Sequence, residues 1–378
     1  MAKLTEISIY KNSHPFIFVF FERIVIFSAQ LMKFSDKIIY WYQCHKRDLP
    51  WRQTKDPYKV WLSEIILQQT RVVQGMGYYL KFESTFPTVF DLADASEDFI
   101  LKNWQGLGYY SRARNMHTTA KKIVAEFEGV FPGTYDELIR FKGVGDYTAC
   151  AIASFCFNHS CAVVDGNVYR VLSRIYGIET PIDSGKAKTE FKQLADSLIC
   201  PKEPGSFNQA IMEFGALQCV PRSPDCTSCP FQDRCIAKAT GRVSTFPVKS
   251  KKIKQRTRYF EYLVLLNGGF TLINRRNQKD IWEKLYEFPL LEYSEQQSPD
   301  VVIKDIAQRL RQNVTVVAVS HPIKHLLSHQ KLHVRFWQLK APCVQFDKKH
   351  LKVAIKDLDR FAFPKVVDNY LRDVDLRT

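Results

Sequence analysis

The chain has 378 residues, 46% hydrophobic and 25% charged, with a formal net charge of +15. Its length suggests two domains, and its composition is that of packed globular proteins, which excludes wholesale disorder. The basic excess points to an anionic partner, nucleic acid ahead of a membrane surface, because each cation placed at a phosphate releases counterions.

The apolar run Phe16 to Phe27 is too short to span a bilayer, is broken by Glu22 and Arg23, and lacks a small-residue cleavage site. Residues 1–31 read as a non-functional extension, with Met32 a second start and an interfacial anchor the lesser alternative. No stable membrane association is expected. From 32 to 240 the signals are helical. Ser35 can cap a helix that stops before Leu49-Pro50. Asp56-Pro57 combines a cap with a first-turn proline and starts a helix running to about Gln69. Phe86-Pro87, Gly106, Gly108 and Phe131-Pro132-Gly133 punctuate shorter helices, and Asp165 caps one that Gly177 ends.

The texture changes near 241. Lys249, Lys251, Lys252, Lys254, Arg256 and Arg258 make a basic connector over 241–258, a solvated linker or a DNA-contacting arm with equal weight. Beyond it, Tyr259–Leu266, Phe270–Asn274, Val314–Val319 and Leu332–Leu339 predict strands, and about 302–312 and 364–373 predict helices. Residues 259–378 are therefore expected to form an α+β domain.

Six of the ten cysteines are scattered, and a chain of this length predicts no disulfide framework but a reducing cytoplasm. Cys219, Cys226, Cys229 and Cys235 follow the pattern C-x6-C-x2-C-x5-C. Four thiolates so close in sequence can wrap one metal centre, an iron–sulfur cluster or a structural zinc. Three unequal gaps fit zinc ribbons poorly, since those show two close pairs. In Phe141-Lys142-Gly143-Val144-Gly145-Asp146-Tyr147-Thr148 the two glycines permit a tight turn before a helix whose free amides suit a phosphate.

Together the cysteine spacing and this hairpin resemble the endonuclease III superfamily of DNA glycosylases. The resemblance implies a 4Fe–4S cluster on the four cysteines, which orders a loop offering Arg222 and Arg234 to phosphate. It also implies a helix-hairpin-helix at about 135–157, with Gly143 and Gly145 at DNA. Phe141-Lys142 replaces the usual Leu-Pro or Ile-Pro. Bifunctional members carry a lysine at position 147 that forms a Schiff base with the sugar; Tyr147 cannot, which implies a monofunctional enzyme with Tyr147 lining the pocket.

Trp61-Leu62-Ser63-Glu64-Ile65-Ile66-Leu67-Gln68-Gln69-Thr70 and Trp104-Gln105-Gly106-Leu107-Gly108-Tyr109-Tyr110-Ser111-Arg112-Ala113-Arg114 are similar to MutY-type adenine DNA glycosylases. By that likeness Glu64, desolvated in an apolar helix, protonates adenine and then helps activate water. Asp165, supported by Asn167, stabilises the oxocarbenium sugar, besides acting as an ordinary N-cap. Tyr109 is the wedge, Trp104 is core, and Gln69, Thr70 and Leu107 meet the orphaned 8-oxoguanine. Leu49-Pro50-Trp51-Arg52 puts Trp51 and Arg52 at the adenine pocket. Arg275-Arg276 with Trp282–Pro289 resembles a Nudix-like domain, and the glutamate-rich Mg²⁺ box does not follow residue 290. That region implies a lesion reader, with Ser328 and His329 at the 8-oxoguanine and Leu327 in place of the family's phenylalanine. His321, His325 and His333 read as surface residues.

The expected architecture is thus multidomain: an extension (1–31), an all-α glycosylase domain with its cluster loop (32–240, loop 219–235), the linker (241–258) and an α+β Nudix-like domain (259–378). The expected substrate is double-stranded DNA with adenine opposite 8-oxoguanine or guanine, met by a monomer at the bacterial nucleoid. An endonuclease III-type pyrimidine glycosylase, a non-catalytic iron–sulfur DNA-binding protein and a Nudix hydrolase are the rivals. Tyr147, the Glu64–Asp165 pair and the missing Mg²⁺ box disfavour them in that order.

Overall fold

The computed structural model describes residues 32–250, 255–310, 314–340, 350–374 and 376. The apolar run at 16–27 and Lys251, Lys252 and Lys254 of the connector lie outside the described residues. In chain order the helices begin with α1 (Phe34–His45), α2 (Pro57–Leu67), α3 (Val72–Thr85), α4 (Val89–Asp94), α5 (Glu97–Trp104) and α6 (Ser111–Phe127). They continue with α7 (Tyr135–Leu138), α8 (Asp146–Phe157), α9 (Gly166–Tyr176), α10 (Gly185–Leu198), α11 (Pro204–Leu217) and α12 (Ile236–Ala239). A mixed region follows: β1 (Arg256–Leu266), β2 (Phe270–Arg275), β3 (Tyr286–Glu287), β4 (Leu290–Tyr293), α13 (Pro299–Leu310), β5 (Thr315–Val319), β6 (Ile323–Leu326), β7 (Gln330–Lys340), β8 (His350–Ala354) and α14 (Lys365–Asp373). The chain divides into two compact units, the described part of 1–53 with 149–250, and 54–148 with the described part of 251–378.

In the first unit, Phe34, Ile38, Trp41 and Tyr42 fall on one stripe of α1, spaced as the helical period requires. They pack on Val168, Val171, Leu172 and Ile175 of α9 and on Phe207, Ala210, Ile211 and Phe214 of α11. The ends of α9 are those expected: the Asp165 carboxylate accepts from the amides of Asn167 and Val168, and Gly177 closes the helix at φ 65°. Ser35 does not act as the expected cap. The first helix starts at Phe34 with Lys33 at the cap position and no side-chain cap, and Ser35 is buried in its first turn. Cys150 and Cys161 depart from the expected set of reduced thiols by forming a disulfide.

In the second unit, Asp56 caps α2 by accepting from the Tyr58 amide, with Pro57 in the first turn as expected. The α2 helix ends at Leu67, two residues before its expected end. Trp61 and Trp104 are fully buried, Trp104 as expected for core.

The β-rich part of this unit is built on a parallel pair. All eleven residues of β1 run beside β7, from Arg256 opposite Gln330 to Leu266 opposite Lys340. The antiparallel strands β4, on β1, and β5 and β6, on β7, extend it, while β3-β2-β8 form a separate sheet. Residues of one parity, Phe260, Tyr262, Val264, Leu332, Val334 and Phe336, pack on Val366, Val367 and Tyr370 of α14. The other parity, Leu263, Leu265, Trp337 and Leu339, packs on Val302 and Ile306 of α13. Both faces of the central pair are thus covered, which explains why its strands read as apolar runs. The connector is shorter than expected. Arg256 and Arg258 belong to β1, and Arg258 is buried against Asp280, Glu292 and Gln330, so it is neither linker nor DNA arm.

Candidate active site and nucleic-acid interface

Glu64 sits on α2 in a run from Val60 to Ile66 that is buried throughout, and Glu64 itself is only 7% exposed. The helix ends at Leu67 with Gln68 at its cap position, and the next residue, Gln69, turns into the left-handed region at φ 55°. Gln69 is exposed and Thr70 half-buried. A cleft of about 280 Å³ opens here, lined by Gln68, Gln69, Tyr109, Arg112, Lys142 and Gly143 among others. Three expected DNA-facing motifs therefore share one concavity: the end of α2, the Tyr109 loop and the hairpin.

The hairpin glycines differ. Gly143 has φ 82°, and a Cβ there would come within 2.7 Å of the Asn115 side chain, so both conformation and space require glycine. Around Gly145 there is open space and no positive φ, so the tight-turn argument does not extend to it. Lys142, which replaces the usual proline, is exposed at the cleft. Tyr147 is half-buried at the second position of α8.

Tyr109 is 43% exposed with φ 44°, and its hydroxyl is hydrogen-bonded to that of Ser328 in the turn between β6 and β7. His329 is exposed beside it. Leu107, expected at the orphaned base, is only 5% exposed. His321 is exposed, while His333 stacks on Tyr259 and His325 packs against Trp282, so these two are tied to rings rather than lying loose on the surface.

In the first unit, one Asp165 oxygen accepts from the amides of Asn167 and Val168 at 2.9 and 2.8 Å. The other accepts from the Asn167 side chain at 2.7 Å. Burial raises the Asp165 pKa, and these donors oppose it by favouring the anion. Asn167 is itself held: its carbonyl accepts from Arg170, which also donates to the carbonyls of Gly215 and Cys219. A Cβ on Gly215 would come within 2.6 Å of Asn167, so α11 can approach only as glycine.

Trp51 is buried, and Arg52 donates to both oxygens of Glu213 at 2.8 Å. Arg47 grips the same carboxylate through its backbone amide, Nε and Nη2. Burial alone would raise the Glu213 pKa; the two guanidiniums overcome it and hold the carboxylate at about 2. The sequence did not single out Arg47, Glu213, Arg170 or Gly215, since partners of each lie far off in the chain.

Cys219, Cys229 and Cys235 pack at the edge of the first unit's core. Arg174 donates to the Cys219 sulfur and to the carbonyls of Val220 and Pro221. Burial raises the Cys229 pKa to about 11, with Cys219, Cys235 and Cys226 near enough to add to the rise. Among the described residues no three His, Cys, Asp or Glu side chains are grouped to hold a single metal ion. The four cysteines lie near enough to act on one another's charge, and thiolate sulfur beside an arginine donor is the ligand chemistry that an iron–sulfur group uses. Arg222 and Arg234 are exposed on this loop, Arg234 lying over the Phe231 ring.

Residues 62–197 match the HhH-GPD superfamily of base excision DNA repair proteins, and residues 261–373 match the NUDIX domain. The adenine DNA glycosylase of Buchnera aphidicola subsp. Baizongia pistaciae is 36% identical over 309 residues, covering 80% of this chain and 84% of that one. This chain belongs to the adenine DNA glycosylase family. It is an adenine-specific DNA N-glycosylase of the MutY type, a helix-hairpin-helix domain followed by a Nudix-like one, as the sequence implied. The human adenine DNA glycosylase is 42% identical over 219 residues, 56% of this chain and 40% of that one. A thermostable thymine-DNA glycosylase superposes with a TM-score of 0.51 at 27% identity, covering 55% of this chain and 95% of that one. For this adenine glycosylase, no helix among the described residues is long and apolar enough to cross a membrane.

Proposed function

We propose that this adenine DNA glycosylase removes adenine mispaired with 8-oxoguanine or guanine in duplex DNA, as a monofunctional base excision repair enzyme of the nucleoid. The observation that carries the reading is the hydrogen bond between Tyr109 and Ser328. The residue expected to wedge into the base stack and the residue expected to inspect the lesion are within reach of each other. Gln69, in the cleft beside Tyr109, is assigned to the orphaned base with Thr70 and His329, while the buried Leu107 is left out of that contact.

Glu64 is the acid that protonates the leaving adenine and then helps orient water; its apolar surroundings on α2 suit a carboxyl that must arrive protonated. In its anionic form Asp165 stabilises the positive sugar, and the three hydrogen bonds it accepts favour that form. Asn167 positions it. Tyr147 has no amine, so no Schiff base forms and the strand is left unbroken. Trp51 and Arg52 hold adenine, and the Gly143–Gly145 hairpin with α8 takes a phosphate.

Cys219, Cys226, Cys229 and Cys235 are assigned to a 4Fe–4S cluster, which when bound orders the loop 219–235 and offers Arg222 and Arg234 to DNA. A single-turnover assay tests the reading on duplexes with A opposite 8-oxoguanine, G or T, with and without alkali. Strand breaks only after alkali, fastest opposite 8-oxoguanine, are expected. Breaks without alkali overturn monofunctionality, and equal rates opposite T overturn the lesion preference.

A further inference from the structure

Arg112, at the second position of α6, is buried and has no carboxylate partner among the described residues. Its guanidinium serves backbone carbonyls instead. Nη1 donates to the carbonyls of Ile65, Ile66 and Gln68 at 2.8, 2.9 and 2.7 Å. Nη2 donates to those of Leu107 and Gly108 at 3.3 and 3.2 Å. The cation lies 5.1 Å from the centre of the Trp104 ring and 5.8 Å from that of Tyr109, while Nε has no partner. Burial lowers its pKa to about 10, so it remains charged at neutral pH.

The last carbonyls of a helix have no partner within it, and Arg112 takes them at the end of α2. Gln69 and Tyr109, with φ 55° and 44°, adopt a conformation that costs free energy in any residue other than glycine. Gln68 and Gly108, whose carbonyls Arg112 holds, immediately precede them. One cation therefore fixes the peptide group in front of each left-handed residue, and both residues line the cleft.

We propose that Arg112 is a positioning residue for base release, which clamps Gln69 and Tyr109 in their left-handed, DNA-facing conformations and couples the wedge loop to the end of the Glu64 helix. The inference rests on the proposed roles of Tyr109 and Glu64. A lysine cannot replace the guanidinium: its single ammonium has no planar fork to serve two groups of carbonyls at once.

The test compares the wild type, Arg112→Lys, Tyr109→Ala and the double variant. The readouts are the single-turnover rate on A opposite 8-oxoguanine and the unstacking fluorescence of a 2-aminopurine beside the adenine. Arg112→Lys should slow release on the order of tenfold or more and lose the fluorescence change in parallel. Affinity for undamaged duplex should hold within about threefold, as expected when no contact to phosphate is lost. In the Tyr109→Ala background the same substitution should cost less, because one of the two residues it positions has already been removed. Wild-type rate and fluorescence in Arg112→Lys, or losses that simply multiply in the double variant, would overturn the proposal.

Native-state hydrogen exchange of the wild-type chain decides the matter if Arg112→Lys does not fold. Amides at 66–70 and 107–112 should exchange through one shared opening, and independent openings would overturn the clamp. A wild type that fails to release adenine opposite 8-oxoguanine removes the proposed function, and the exchange result still judges the clamp.

Discussion

The Tyr109 hydroxyl and the Ser328 hydroxyl are hydrogen-bonded, joining the loop before α6 to the turn between β6 and β7. Both side chains are exposed, so a duplex arriving at either must displace the other or form around the pair. A damaged guanine offers new hydrogen-bonding atoms, and Ser328 can exchange Tyr109 for them. One such bond is worth about 1 kcal/mol, roughly fivefold in rate discrimination. Ser328→Ala should therefore shrink the rate ratio between A opposite 8-oxoguanine and A opposite G by about fivefold. Tyr109→Phe keeps the ring proposed as the wedge and should preserve the ratio within about twofold. Single-turnover rates on the two duplexes check both, and an unchanged ratio in Ser328→Ala removes Ser328 from lesion reading.

Glu64→Gln keeps the shape of the side chain but supplies no carboxyl proton. Since positioned acids contribute about a hundredfold or more, base release should fall at least that far while duplex binding persists. Gel retardation beside the cleavage assay separates the two effects. Turnover close to wild type would take Glu64 out of the mechanism.

The role proposed for Asp165 predicts an acid limb in the pH–rate profile. Burial raises its pKa from the ordinary 3.8, so the anion is lost at a higher pH than for an exposed aspartate. The rate should fall as pH drops through that raised value. Asn167→Ala removes a donor that favours the anion, so the limb should move further upward, by about one pH unit if the bond is worth about 1.4 kcal/mol. A limb that stays in place in the variant assigns it to another group.

The helical region was legible where single residues carry a local meaning. Asp56-Pro57 and the Asp165–Gly177 pair mark α2 and α9 because caps act within one turn. Ser35 misled, since α1 is held by the burial of Phe34 and Ile38 rather than by a cap. The strands β3, β4 and β6 span two to four residues, too few for alternation to register. Arg258 read as solvated connector because its partners Asp280, Glu292 and Gln330 approach only after folding. Glu64 and Tyr109 stood out through their neighbours in sequence, and the structure puts Tyr109 at the cleft and Glu64 buried on α2. Arg112 stood inside a recognised motif, but its role depends on carbonyls, which any residue type supplies.

Glu213 was hidden in the sequence for the same reason. Its side chain is 1% exposed and paired with both Arg47 and Arg52, so only one of its three groups, Arg52, was visible from a motif. Removing the carboxylate strands two cations, one of them 35% exposed, so the loss should be about 2 kcal/mol, below the full cost of breaking a buried pair. The pH dependence has a definite sign. The folded value, about 2, lies below the ordinary 4.5, so the pair's contribution is present in full above pH 4.5 and is lost as pH falls toward 2. Melting curves of wild type and Glu213→Gln should therefore differ most at neutral pH and converge in acid. A gap that stays constant across this range would mean that Glu213 does not owe its stabilising role to ionisation.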